Sequence, residues 1–333
     1  MTTLLAQIAP QRSTQYADLA AALAPHELRL SPLGARITAI EPLTLGGQGY
    51  LRLELGEDLD AALTRELGMF ATVNAFFELH DRLGGQPGPW LRPVETGYTP
   101  HLPTDLVMAR RYKGKTNEMF TQFLLNVARH SSRFAAEDWA SLRVIDPLAG
   151  GGTTLLVALT LGAHAAGVEK SLQDVQTTAA FLQRYAREKG IACRVVEERL
   201  RGIGRRWWLT LGKAPNPQQC MLAQGETARA DALLQGFRQA HLIVGDLPYG
   251  IQHQGVLTSL LQEALPVWTG LLLPGGALAL AWDATRFSRG EMVALVAGET
   301  RLTVLDDSPY DALVHRVDRV ICKRDVLVAR RDA

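Results

Sequence analysis

The sequence predicts an α/β protein: a βα series over the last two thirds of the chain, closed by an antiparallel hairpin, behind a smaller N-terminal α+β module. Three observations carry this. Short apolar runs (Val144-Ile145, Ala165–Val168, Leu242–Val244, Ala277–Ala281) alternate with helix-spaced stretches, the pattern of a parallel sheet with crossover helices. Two of these runs end in an acid followed by a turn, Asp146-Pro147-Leu148-Ala149-Gly150-Gly151-Gly152 and Asp246-Leu247-Pro248-Tyr249-Gly250, and open sheets place ligands at such carboxyl ends. Residues 1–110 lack this alternation and end in a stretch rich in proline and glycine.

Composition narrows the function classes. A chain of 333 residues is long enough for two domains, here divided as 1–110 and 111–333, and 47% hydrophobic with 21% charged residues is ordinary for a globular protein. The net charge of +1 decides nothing about partners, because nucleic-acid binding needs only a local basic face. Cys193, Cys220 and Cys322 form no CxxC pair and have no nearby His spacing, which argues against a zinc site and against a disulfide framework. The start has no basic segment and no apolar run reaches the ~18 residues of a membrane helix. A cytoplasmic protein with no membrane partner is expected.

In the N-terminal module Arg36–Ile40 reads as a short strand and Tyr50–Leu55 as a clearer one, after the Gly46-Gly47 turn. Asp58–Asp81 carries helix-spaced apolar residues, and Gly84–Pro89 then breaks the chain, with Pro93, Pro100 and Pro103 keeping it irregular to Asp105. A basic loop, Arg110–Lys115, opens a helix that Thr116 or Asn117 can cap, with Met119, Phe120, Phe123, Leu124 and Val127 as its apolar stripe. The stripe reads as core. For the loop two readings stand side by side, ligand contact and solvated helix start.

The strand Arg143–Asp146 ends in the glycine-rich turn, and a helix follows over Leu155–Leu161. Such a turn lets backbone approach a ligand and offers free N–H groups, but it matches neither G-x-G-x-x-G nor a phosphate loop, so no pyrophosphate is expected. The next strand ends at Glu169, the distance at which a carboxylate meets ribose hydroxyls in a βαβ unit. After a helix from Ser171 to about Lys189, Arg205–Leu211 and Gln218–Gln224 read as a hairpin-like insertion around Gly212–Pro217. Its Trp207 and Trp208 beside arginines read first as core and second as a base-stacking surface. Glu226, with Asp231 as the alternative, stands where a second cofactor-facing acid belongs. At the tip, Pro248 pushes Leu247 into an extended conformation that holds its carbonyl beside the Asp246 carboxylate, and the Gly250 bend leaves Tyr249 projecting as a flat plate. Two fixed acceptors and an aromatic face suit an amino group on a planar ring. A helix near Gly290–Ala297 and strands Arg301–Leu305 and Asp318–Leu327 finish the chain, the last two close enough to pair antiparallel.

Asp146-Pro147-x-x-Gly150-Gly151-Gly152-Thr153-Thr154 followed by Asp246-Leu247-Pro248-Tyr249-Gly250 resembles the Rossmann-like S-adenosylmethionine (SAM) methyltransferases that modify exocyclic amino groups. Within them the THUMP-associated tRNA guanine-N2 methyltransferases have a similar glycine after the aromatic and a similar loop-helix, here Lys113–Asn126. The resemblance covers about 110–330. It implies a seven-stranded sheet with a terminal antiparallel hairpin and SAM as cofactor. Asp146, Gly150 and Gly152 would line the methionine end, Glu169 would hold the ribose and Glu226 would lie near the adenine, with Thr116, Asn117 and Thr153 as further cofactor contacts. Asp246, Leu247, Pro248 and Tyr249 would hold the target base, which the resemblance implies is guanine, methylated at N2, in RNA and specifically tRNA, with no metal. Leu247 departs from the usual D-P-P-Y and is expected to loosen the turn. Residues 1–110 carry no THUMP signature, and their expected role is substrate docking. A DNA adenine-N6 or cytosine-N4 methyltransferase answers the same chemical need, a protein glutamine methyltransferase would begin its motif with Asn, and a nucleic-acid-binding scaffold without turnover is the reading from another class.

Overall fold

The computed structural model describes residues 2–10, 19–112, 114–248, 254–317 and 323–332. Against the expected division at residue 110, the compact units are Met1–Thr99 with Asp307–Arg324, and Pro100–Asp306 with Asp325–Ala333.

The first unit contains β1 (Thr2–Ile8), α1 (Leu19–Leu30), β2 (Ile37–Leu45), β3 (Gln48–Leu55), α2 (Ala61–Glu66), β4 (Val73–Leu83) and β5 (Gln86–Pro93). Its antiparallel sheet runs β2-β3-β1-β4-β5. Leu4, Ala6, Leu28, Leu51, Leu53, Leu55, Phe70 and Phe76 meet in one core. Glu27 is fully buried there and tolerable because Ala71 N, Thr72 N and Thr72 Oγ1 all donate to it. Two sequence expectations fail in this unit. Asp58–Asp81 forms only the short α2 and then most of β4, because Val73, Phe76 and their neighbours bury as a strand against β1. The Gly84–Pro89 stretch is no linker: Gly84 and Gly85 adopt φ of 56° and 81°, the positive values that a two-residue hairpin turn needs, and β5 returns along β4. The prolines of β5 and Pro42 of β2 sit on the two edge strands, where a missing N–H is tolerated.

The second unit contains α3 (Asp105–Ala109), α4 (Glu118–Ser131), β6 (Arg143–Asp146), α5 (Thr153–Leu161), β7 (His164–Glu169), α6 (Leu172–Glu188), β8 (Cys193–Leu200), β9 (Gly204–Leu211), β10 (Gln218–Gln224), α7 (Ala230–Leu233), β11 (Ala240–Asp246), α8 (Gln254–Leu271), β12 (Leu272–Asp283), α9 (Arg289–Ala297), β13 (Leu302–Leu305) and β14 (Arg324–Arg331). The sheet order is β13-β14-β12-β11-β6-β7-β10-β9-β8. Seven of these strands form the expected Rossmann-like sheet. β8 and β9 extend it past β10 as antiparallel strands, and β8, too polar to stand out in the sequence, is an addition to the expected hairpin. The terminal pair β13 and β14 is antiparallel, with β14 beginning at Arg324 rather than at Asp318, and residues 318–322 lie outside the described residues.

β6, β7 and β10 are parallel neighbours on one side, and β11 and β12 continue the parallel sheet on the other. The chain therefore reverses its direction of travel between β6 and β11, and a crevice opens outside the carboxyl ends of strands at such a reversal. Both strands are buried except for Arg143 at the start of β6 and Asp246 at the end of β11, and α5 is buried over its whole length against β6 and β7. A helix without a polar face needs cover on all sides, and α3 and α4 supply it.

Candidate functional site

Ile243 pairs with Ile145, so Asp146 and Asp246 emerge from adjacent strands at the same end of the sheet, Asp246 two residues further along. Around them lies a cavity of about 370 Å³ lined by Pro147, Leu148, Val168, Glu169, Lys170, Gly225, Glu226, Thr227, Asp246, Pro248 and Leu260. Three of the expected acids, Glu169, Glu226 and Asp246, thus share one chamber with Pro248. A larger cleft of about 520 Å³ in the first unit is lined by none of the candidate site residues.

The glycine turn is shaped from behind. Gly150 and Gly152 have φ of 49° and 88°, values that disfavour any side chain, and Gly152 caps α5. Gly150 N donates to Glu169 Oε2 at 2.9 Å and Ser171 N to Glu169 Oε1 at 2.8 Å, so this carboxylate ties the turn after β6 to the one after β7. Asp146 accepts from Leu148 N at 2.9 Å and is 3% exposed. Burial, and then the nearby Asp246 and Glu169, push its carboxyl up to about 7 against the bond from Thr154. Glu226 is exposed and paired with Lys170 Nζ at 2.9 Å, across the mouth between the ends of β10 and β7. The alternative, Asp231, is an exposed residue of α7 and does not line the cavity.

The loop before α4 supplies what sequence reasoning left open. Arg110, 8% exposed, donates through Nε to Gly151 O at 2.8 Å and through its terminal nitrogens to Thr177 and Thr178. Tyr112 lays its ring where a Gly151 side chain would be, and its hydroxyl shares a hydrogen with Thr153 Oγ1. Thr153 therefore faces this tyrosine. Asn117 is the α4 cap, accepting from Phe120 N at 3.1 Å, and Thr116 Oγ1 donates to Asp246 Oδ2 at 2.9 Å rather than standing at the glycine turn. The missed residues are Arg110, Tyr112 and Thr178. The signal for Arg110 and Tyr112 was the excess of polar side chains before a helix whose apolar stripe is complete without them, whereas Thr178, inside α6, had no local signal.

At the tip, Leu247 does not loosen the turn. Its N–H donates to Ala281 O at 2.8 Å, which a proline could not do, and its side chain is 1% exposed in the core. Pro248 is exposed beside the cavity. Tyr249 and Gly250 lie outside the described residues. The β9 tryptophans take the core reading: Trp207 is buried, Trp208 is half-buried with its Nε1 donating to Gln219, and Arg205 and Arg206 pair with Glu197 and Glu198 on β8. Among the described residues no group of three His, Cys, Asp or Glu side chains could hold a metal ion, and no helix is long and apolar enough to cross a membrane.

No protein-family model matches this chain, and no curated protein matches it. Solved structures are similar in fold. TrmN from Thermus thermophilus matches at 14% identity and a TM-score of 0.47, over 99% of this chain and 100% of that one. The 16S rRNA N2 G1207 methyltransferase RsmC of T. thermophilus, in complex with AdoMet and guanosine, matches at 14% identity and 0.38, over 90% of this chain and 60% of that one. A structure titled as a putative RNA methyltransferase from Pyrococcus horikoshii matches at 13% identity and 0.41, over 69% and 98%.

Proposed function

We propose that this protein is a SAM-dependent methyltransferase acting on an exocyclic amino group of a nucleobase, guanine N2 in RNA, with tRNA as the first substrate to test. One observation carries the reading: the ends of β6 and β11 share a single chamber, with Asp246 and Pro248 on one wall and Glu169 and Glu226 on the other. The lining fits the cofactor. Its carboxylates suit a cationic sulfonium and ammonium, Glu169 at the end of β7 would accept ribose hydroxyls, and the space beside Gly150 is open. SAM supplies an electrophilic methyl group when bound.

The chain's own residues do the rest. An amino nitrogen conjugated to its ring is a poor nucleophile, and Asp246 with the Leu247 carbonyl would accept its two hydrogens and favour the pyramidal form that frees the lone pair. Both acceptors are held before the reaction: Leu247 by the bond to Ala281, Asp246 by Thr116. Fixed acceptors of this kind stabilise a developing positive charge without reorganising. Tyr249 would stack the ring. A paired base would have to be flipped out to reach the chamber.

The test is incubation with labelled SAM and, separately, bulk tRNA, rRNA and duplex DNA, followed by mass spectrometry of the nucleosides. N2-methylguanosine in RNA supports the reading. Label in N6-methyladenosine or N4-methylcytosine from DNA transfers it to the alternative substrate class, and measurable SAM binding without label in any pool refutes nucleobase methylation.

A further inference from the structure

We infer that Thr116 is a positioning residue whose hydroxyl sets the rotation of the Asp246 carboxylate, on the same segment that clamps the glycine turn. The inference rests on the reading above, in which Asp246 receives the amino group.

A strand end places an aspartate but does not aim it, because its terminal torsion is broad and roughly two-fold. Here the carboxylate is met by a donor from far away in the chain, Thr116 Oγ1 on Asp246 Oδ2 at 2.9 Å. That donor is itself held on both sides. Lys115 Nζ donates to Val107 O at 2.6 Å and pairs with Glu118, while Asn117 caps α4 through Phe120 N. Threonine is also stiff at its first torsion, so fixing its neighbours fixes its hydroxyl. A few residues earlier Arg110 and Tyr112 hold Gly151 and Thr153. Arg110 and Tyr112 before Lys113, and Thr116 after it, therefore touch both motifs that line the chamber. A solvated helix start would leave these groups in water. Instead Arg110 is buried and the Thr116 hydroxyl is spent on the acid.

Thr116→Val keeps the shape and removes the donor, Thr116→Ala removes it without adding a methyl against the carboxylate, and Thr116→Ser keeps it. With labelled SAM and unmodified tRNA transcripts, both donor-free variants should lose about tenfold or more in kcat, the scale on which small misplacements act. SAM affinity by titration calorimetry should stay within about twofold, and serine should recover most of the rate. Wild-type protein that labels no transcript overturns the proposed function and this inference with it. An active wild type matched in rate by folded Thr116→Ala overturns the inference alone. A loss of SAM affinity in proportion to rate also overturns it, returning Thr116 to the cofactor.

Discussion

Replacing Gly151 by alanine should destabilise the second unit solely through Tyr112, and the structure allows the cost to be built up in parts. Gly151 is not among the glycines with positive φ, so alanine suits its backbone. The added Cβ, however, would come 2.3 to 2.6 Å from Cζ, Cε2 and Cε1 of the Tyr112 ring, far inside van der Waals contact. The ring has to swing away. It then loses the bond to Thr153, about 0.5–1.5 kcal/mol, and its place 5.3 Å from the Arg110 guanidinium, about 0.5–1 kcal/mol more. The total, about 1–2.5 kcal/mol, agrees with the usual cost of overpacking. With Tyr112 already cut to alanine, the three atoms nearest the new methyl are gone, and Gly151→Ala should stabilise by about 0.4–1 kcal/mol through the unfolded chain. The sign of one substitution thus reverses with the presence of the other, a coupling on the order of 2 kcal/mol. Urea unfolding followed by tryptophan fluorescence is the assay, since five of the six tryptophans (Trp139, Trp207, Trp208, Trp268 and Trp282) belong to this unit. An equal cost for Gly151→Ala with and without the ring would refute the packing argument.

Other outcomes follow from the same site. Asp246→Asn should lower kcat by about 10²–10³ while changing SAM affinity only a few-fold, and equal losses in both would count against its place at the target base. Glu169→Ala leaves Gly150 N and Ser171 N without their acceptor, so it should cost about 2 kcal/mol in unfolding experiments and weaken SAM binding measured by calorimetry. Asp146 has a folded value raised to about 7, above its ordinary 3.8, so the stability its protonated form provides below about pH 4 is lost as pH rises through 7. The loss is up to about 4 kcal/mol, and Asp146→Asn should flatten that part of the stability profile. The same ionisation should tighten binding of the cationic cofactor between pH 6 and 8, again read by calorimetry.

The part of this architecture legible in the sequence is the part built from buried regularity. Parallel strands shielded on both faces appear as unbroken apolar runs, and the acids at their ends stand out as the first carboxylates after an apolar stretch. β4 did not stand out, since Val73, Phe76 and the partly buried Phe77 and Leu79 are spaced well enough for either period. β8 escaped for the opposite reason: its Glu197, Glu198 and Arg199 are exposed edge residues, and their pairing with β9 is a tertiary fact. At the site, Asp246 and Glu169 were readable from spacing, whereas the partner of Thr116 lies 130 residues away and no local pattern encodes it. Arg110 looked like one more surface cation in a basic loop, and only the carbonyl of Gly151 beneath it shows otherwise.

The hydrogen bond from Leu247 to Ala281 has a bearing on how this motif can vary. It makes the final rung of the β11–β12 ladder part of the turn proposed to face the target base, so the turn borrows its rigidity from the next strand instead of from a second fixed ring. A chain spelled D-P-P-Y has no hydrogen to lend at that place and must immobilise the turn by other means. The leucine is therefore a different engineering answer rather than an eroded version of the commoner one, and redesign that swapped in the familiar letter would detach the turn from the beam that steadies it.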